Sequence, residues 1–275
     1  MAQDVLLLIK TNQRQFTEKE RKLAEFILNF PEKVIDMSIT ELSDTLNIGQ
    51  GTIVRFCQKV GLSGFHPFKI ALAKSIGQQG EGIESQDILS QVYMEHIKAI
   101  EETSKLLNER KDIVTLCAQK IANCRRLYLL GVGASGITAL DAFYKFLRIG
   151  IDTRYTIDSH LQAMNLSHCN EKDCVLAFSQ SGSTSVIVDM ASYAKKCGAC
   201  VIAITGYNRS PLTAFSDYVL LTSVRETPFQ SGAIRSKIAQ LHVLEVLFEK
   251  TRAILGPAAL EATNKTAEAV EKWIY

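Results

Sequence analysis

LYLLGVGASG at residues 127–136 and VLAFSQSGST at residues 175–184 share one build: an apolar, β-rich run that breaks into a turn of glycines and hydroxyls. An amphipathic helical pattern follows each. Comparable runs at Thr153 to Ile157, Val201 to Thr205 and Tyr218 to Thr222 also alternate with helical segments. Runs that are apolar throughout belong to strands buried on both faces, and their alternation with helices predicts a parallel sheet between two helical layers. The rear half is therefore expected to be α/β, a three-layer αβα fold on a five-stranded parallel sheet.

Both turns open into helix amino termini, where unpaired N–H groups and the positive end of the helix dipole attract an anion. One such turn says little, because any strand-to-helix connection needs a glycine and a Ser or Thr cap. In the strand order 2-1-3-4-5, however, the first and third strands flank the switch point and their loops face one crevice. Ser135, Ser179, Ser181 and Thr184 would line that crevice with hydroxyls, Gly133 and Gly182 would admit backbone close to a ligand, and neither loop holds an acid to repel phosphate. A phosphorylated polyol fits this inventory. His160, after the second strand, could donate to a sugar hydroxyl or phosphate or simply stand in the first turn of a helix, and Lys237, on the helix after the Gly232 turn, could supply a cation to the ligand. Two rivals stay open. Gly131, Gly133 and Gly136 match GxGxxG after a strand, and Asp158 stands near where a ribose-binding acid belongs, which would make an NAD(H)-sensing Rossmann site. A phosphosugar isomerase would need a base; Glu226 and His160 are visible, but neither sits in a motif that identifies one, so no catalytic residue is assigned.

Toward the amino terminus the pattern turns helical. Thr17 with Glu20 is a capping-box signature, Leu23, Phe26, Ile27 and Phe30 recur at helical spacing, and Pro31 stops the helix. A helix after Ser38 ends at Asn47, and Ile48-Gly49 leads at once into another from Gln50 to Val60, the arrangement of a helix-turn-helix. In the latter helix Ile53, Phe56, Cys57 and Val60 form the buried stripe, leaving a small cationic face. Gln50, Thr52 and Arg55 would read base edges in a major groove and Lys59 would meet phosphate. Between Asp44 and Glu81 there is no acid, while Arg55, Lys59, Lys69 and Lys74 are positive; the last two are further phosphate candidates.

These residues carry a family resemblance. Residues 16–73, FTEKERKLAEFILNFPEKVIDMSITELSDTLNIGQGTIVRFCQKVGLSGFHPFKIALA, resemble the DNA-binding domain of RpiR-type bacterial transcription regulators, most recognisably in TIVRFCQKVGLSGFHPFK. Gly49 and Gly51 depart from that pattern, where small polar residues or Ala are more usual. GVGASG, DAFYKFLRIGI, VLAFSQSGST and AITGYNRSPLTAFSDYVL resemble, in order, segments of the sugar isomerase or SIS domain, and RSKIAQLHVLEVLF resembles the helix that closes its sheet in the regulators. GQQGEGIESQ at 77–86, with three glycines and no hydrophobic periodicity, marks a linker, and the resemblance implies a helix-turn-helix domain at 1–76 before it and an SIS domain with flanking helices at 87–275 after it. It implies a regulator of sugar or amino-sugar catabolism, a repressor among the possibilities. The partners expected are operator DNA, a sugar-phosphate effector and at least one further copy of the chain.

The whole composition agrees. The chain has 275 residues, a net charge of +2 and 47% hydrophobic residues, a balance that excludes disorder and allows two buried cores. No apolar run is long enough to span a membrane, and seven scattered cysteines are not a disulfide framework, so a cytoplasmic protein is expected. Cys197 and Cys200 have CxxC spacing, but no second pair completes a metal ligand set; no metal or cofactor is expected.

Overall fold

The computed structural model describes residues 4–77, 88–223, 234–271 and 273. Among these the chain forms two compact units, which divide within one long helix at Val92 and Tyr93. The linker proper lies, but for Gly77, outside the described residues, as does Glu226.

Six helices build the first unit: α1 (Val5–Thr11), α2 (Glu18–Asn29), α3 (Pro31–Asp36), α4 (Ile39–Leu46), α5 (Gln50–Lys59) and α6 (Phe65–Gly77). The Thr17 capping box is complete: the Thr17 hydroxyl accepts from Glu20 N, and the Thr17 N–H donates to Glu20 Oε2 at 2.8 Å. Ser38 and Glu41 cap α4 in the same reciprocal way. Between α4 and α5 the chain reverses tightly because Asn47 adopts a left-handed conformation (φ 53°), which its short polar side chain tolerates. Ile53, Phe56 and Cys57 of α5 are buried as their spacing requires, with the Phe56 ring against Phe16 at 4.9 Å and Phe68 at 6.1 Å.

Two of the expected surface cations have other work. Lys69 is buried: its ammonium donates to the carbonyls of Ile35 and Met37 at 2.8 and 3.0 Å. Those carbonyls lie at the end of α3, where no helical partner is left for them, so Lys69 is a structural cap and not a phosphate contact. Lys59 donates to Glu20 Oε2 at 2.7 Å, tying α5 to the start of α2. Burial disfavours the Glu20 charge, but bonds from Lys59 and Thr17 outweigh it and hold the carboxyl below its usual range. A depressed carboxyl stabilises the fold above its unfolded-state value and loses that contribution as pH falls through its folded value. Glu20→Ala should therefore cost about 1–2 kcal/mol at neutral pH, through the lost cap and ion pair. In urea unfolding the deficit should shrink as pH falls below the ordinary carboxylate range and through the lowered native value; a deficit independent of pH would mean the carboxylate contributes nothing beyond packing.

The second unit holds α7 (Ile88–Glu109, from Tyr93 on), α8 (Lys111–Ala122), β1 (Leu127–Leu130), α9 (Gly133–Arg148), β2 (Thr153–Arg154), α10 (Ser159–Leu166), β3 (Cys174–Phe178), α11 (Ser185–Lys196), β4 (Cys200–Thr205), β5 (Tyr218–Leu221), α12 (Ile234–Leu255) and α13 (Pro257–Glu271). The five strands are parallel in the order β2-β1-β3-β4-β5. Alternation along each strand sorts the core into two faces: Leu127, Leu129, Leu176, Phe178, Ile202 and Ile204 pack with α8, α9 and α12, while Tyr128, Leu130, Val175, Ala177, Val201 and Ala203 pack with α10 and α11. That is the expected three-layer αβα sandwich. β2 is shorter than the apolar run through Ile157 suggested. The Tyr155 hydroxyl instead donates to the Gly136 carbonyl at 2.7 Å, the Gln162 amide claims the Thr156 carbonyl at 2.5 Å, and Ile157 is left exposed. The Gln162 side chain has taken the place of a ladder partner there.

Candidate functional site

β1 ends at Leu130 and α9 begins at Gly133, leaving a two-residue turn whose cap, Val132, offers no side-chain acceptor to the helix. The first N–H groups of α9 therefore face outward without an intrahelical partner. Gly133 is exposed, has a φ of +57°, and has open space where a side chain would stand. Backbone can approach a ligand closely here.

The second loop is tighter. Gly182 donates to the Ser179 carbonyl at 3.0 Å and its own carbonyl accepts from Leu212 N at 2.9 Å, which holds it at φ +60°. Any Cβ there would lie 2.2 Å from Ser210 Oγ, so only glycine fits. Around this bend Ser179 is buried and donates to the Thr184 hydroxyl at 3.3 Å, and Ser181 Oγ accepts from Ser183 N at 3.2 Å. Thr184 occupies the N-cap of α11 without capping it, so its hydroxyl proton is available to another acceptor.

A residue that the sequence reading overlooked joins the two loops. Gln240 of α12, 1% exposed, donates from Nε2 to Ser135 Oγ at 3.1 Å and to Gln180 Oε1 at 3.3 Å. Gln180 Oε1 also accepts from the Thr222 hydroxyl at 3.1 Å. Ser135 and the residue next to Ser181 thus share one amide nitrogen, which brings the β1 and β3 loops to a common crevice. Among the described residues Gln240 Oε1 is buried with no hydrogen-bond partner. An orphaned carbonyl oxygen of this kind is costly unless a donor arrives, and a polyol hydroxyl is such a donor. Gln240 stood in an apolar helical run whose period marked it as inward-facing; its partners, far away in sequence, had no local signal.

Other candidates are placed as follows. Lys237 is half-buried on α12, one turn before Gln240. His160 is exposed in the first turn of α10 and lines a cavity of about 550 Å³ between α10 and α11 with Ser185, Asp189, Met190 and Tyr193. That groove holds none of the loop serines at 135, 179 and 181. Asp158 is the N-cap of α10, its carboxylate accepting from Leu161 N at 2.7 Å. It thus serves its own helix, and the strand order is not that of a dinucleotide fold, which weakens the NAD(H) alternative. Among the described residues no group of three or more His, Cys, Asp and Glu is placed to hold a metal, and no helix is long and apolar enough to cross a membrane.

On the first unit, Gln50 and Arg55 are exposed and Thr52 half-buried on one side of α5. Gln50 Nε2 donates to the Thr40 hydroxyl at 3.1 Å and an Arg55 guanidinium nitrogen donates to the Thr52 hydroxyl at 3.2 Å. These bonds hold the polar side chains at the helix amino end in a defined array. Gly51 between them meets nothing nearer than Arg55 at 3.9 Å, which leaves that surface open to an approaching backbone.

Comparison with known proteins agrees with both units. The helix-turn-helix domain model of the rpiR family matches residues 3–79, and the SIS domain model matches residues 120–250. An uncharacterized HTH-type transcriptional regulator of Caldanaerobacter subterraneus subsp. tengcongensis is 36% identical over 89% of this chain and 89% of its own. Another, from Thermotoga maritima, is 33% identical over 99% of this chain and 100% of its own. The chain belongs to the RpiR family of transcriptional regulators, a helix-turn-helix domain followed by an SIS domain. Among solved structures it is similar to the Vibrio vulnificus NanR protein complexed with ManNAc-6P, with a TM-score of 0.88 and 28% identity over 98% of this chain and 99% of that one.

Proposed function

We propose that this regulator controls sugar or amino-sugar catabolism and responds to a phosphorylated sugar held between the β1 and β3 loops of its SIS domain. The observation that carries the reading is the Gln240 bridge between Ser135 and Gln180, with an unpaired buried oxygen at its centre. The phosphate would take the loop N–H groups and the hydroxyls of Ser135, Ser179, Ser181 and Thr184, with Gly133 and Gly182 allowing the approach and Lys237 adding charge. His160 would act from the rim, past Ser185. The NanR complex with ManNAc-6P makes hexosamine phosphates the first effectors to try. Among the described residues none is a base positioned over sugar carbons, Glu226 lying outside them, and the helix-turn-helix unit gives ligand binding a use, so the site is read as a sensor and not as an isomerase. The protein is expected to work in the cytoplasm as at least a dimer, because one reading helix covers too few base pairs for useful specificity.

A thermal-shift panel of phosphosugars, ManNAc-6P included, beside NAD and NADH tests this directly. A shift with a phosphosugar alone is expected; a shift with a dinucleotide alone would overturn the reading, and turnover of the sugar in an isomerase assay would make the site catalytic. For the DNA face, Arg55→Ala should weaken operator binding by roughly 1–3 kcal/mol and leave the effector shift unchanged. Unchanged operator affinity in a titration at fixed salt would take Arg55 off the reading surface. Gln50 and Thr52 are proposed as its neighbours in base contact, with Lys59, already held by Glu20, as a phosphate contact through its exposed flank.

A further inference from the structure

All seven cysteines are free thiols. The sheet divides the CxxC pair: Cys197 ends α11 and packs on the α10 and α11 side beside Cys169, whereas Cys200 opens β4 and packs on the opposite face. Cys200 has a different partner. It is the register neighbour of Cys174, the first residue of β3, so the two side chains adjoin on one face of the sheet. Neighbouring strands lie about 4.8 Å apart, and disulfides form across Cα separations of roughly 4.4–6.8 Å, so this pair can be bridged without moving the ladder far. Both residues stand at the amino ends of their strands, the edge of the sheet away from the serine loops.

The two thiols differ in access. Cys174 is 1% exposed, while Cys200 is half-buried and lines a cavity of about 720 Å³ with Lys120, Arg125 and Lys172 among its walls. Of the acids there, Asp173 is already held by Arg125 at 2.7 Å. The adjoining Cys174 thiol, helped by Lys120 and Lys195 and opposed by burial and Asp217, holds the Cys200 thiol below its ordinary value. Burial pushes the nearby Cys117 and Cys124 thiols up to about 12. Thiolate character and exposure thus meet at Cys200, the combination that makes a cysteine reactive.

We propose that Cys200 and Cys174 form a peroxide-responsive thiol pair, Cys200 attacking from the cavity and Cys174 resolving from behind it. The Cys200 thiolate attacks one oxygen of hydrogen peroxide; an S–O bond forms, the O–O bond breaks, and the departing hydroxide takes a proton and leaves as water. The Cys174 thiol then attacks the sulfenyl sulfur, forming the S–S bond, and its proton leaves with the expelled hydroxide as a second water. Two thiols lose two electrons and one peroxide becomes two waters. Small thiols reverse the change by exchange.

The full-length protein, oxidised with hydrogen peroxide while folded, quenched in acid, alkylated under denaturing conditions and peptide-mapped, tests this. A dithiothreitol-reversible link between the Cys174 and Cys200 peptides is expected, formed with Cys200 consumed roughly tenfold faster than Cys197. Cys200→Ser should form no such link, and Cys174→Ala should leave Cys200 as a sulfenic acid that dimedone captures. Should Cys174→Ala fail to fold by circular dichroism, the native link and its loss in Cys200→Ser still decide. A link between Cys169 and Cys197 instead, dimedone capture elsewhere with Cys200 unlabelled, or an intact Cys200 under peroxide that oxidises free glutathione would each overturn the assignment.

Discussion

Gly182→Ala should destabilise the SIS domain by about 3 kcal/mol and abolish its effector shift together, because two penalties fall on one methyl group. The first is conformational: a left-handed backbone brings Cβ against the carbonyl, at roughly 1–2 kcal/mol for an ordinary residue. The second is steric, since the new carbon would lie 2.2 Å from Ser210 Oγ and 2.5 Å from Ser210 Cβ. Ser210 cannot yield easily; it is 2% exposed, and both its N–H and its carbonyl are bonded to the Thr213 hydroxyl at 2.9 Å. Adding Ser210→Gly removes the collision and leaves the backbone penalty, so the pair should recover part of the lost stability in urea unfolding. Full stability in the single variant would show that the loop relaxes into another bend. Operator binding, which rests on the other unit, supplies the internal control.

Replacing Ser181 and Thr184 with Ala together should abolish the effector response with little change in stability. Neither hydroxyl supports much of the fold: Ser181 Oγ accepts a single 3.2 Å bond from Ser183 N, and Thr184 Oγ1 accepts one from Ser179 while leaving its helix uncapped. Toward a phosphate each would make a charge-assisted bond worth about 1.5–3 kcal/mol, so losing both should weaken effector binding roughly a hundredfold or more. The measurement is the effector-induced melting shift, followed by effector-dependent release or capture of operator DNA. A retained response would mean the anion is held by backbone alone or sits elsewhere. Thr184→Ser, which keeps the hydroxyl, should behave as the parent.

The two variants also separate what was legible in the sequence from what was not. Both loops, the strands that carry them and the glycine of the tight bend could be read locally, since apolar runs, turn residues and helix caps act within a few positions. The order β2-β1-β3-β4-β5 makes β1 and β3 neighbours, as the shared crevice required. What escaped reading were polar groups whose partners lie far along the chain. Lys69 looked like part of a solvated basic run, although its spacing from Phe65 and Leu72 already put it on the buried side of α6. Gln240 sits likewise between buried Ala239 and Val243. Periodicity says that such a residue points inward, and only the folded topology says what it meets there. β2 was overread for a related reason: apolar character marked Thr153 to Ile157 as strand, but the Gln162 amide takes the Thr156 carbonyl that would have continued it.

The route by which Gln240 reaches Ser135 has a consequence for how the protein comes into being. The first strand's loop is closed by an amide that leaves the ribosome more than a hundred residues after it. A nascent chain can therefore complete its DNA-reading head well before its sensor has a floor. On the proposed reading, a product ending ahead of α12 would keep the helix-turn-helix unit but lack the amide that closes the sugar site.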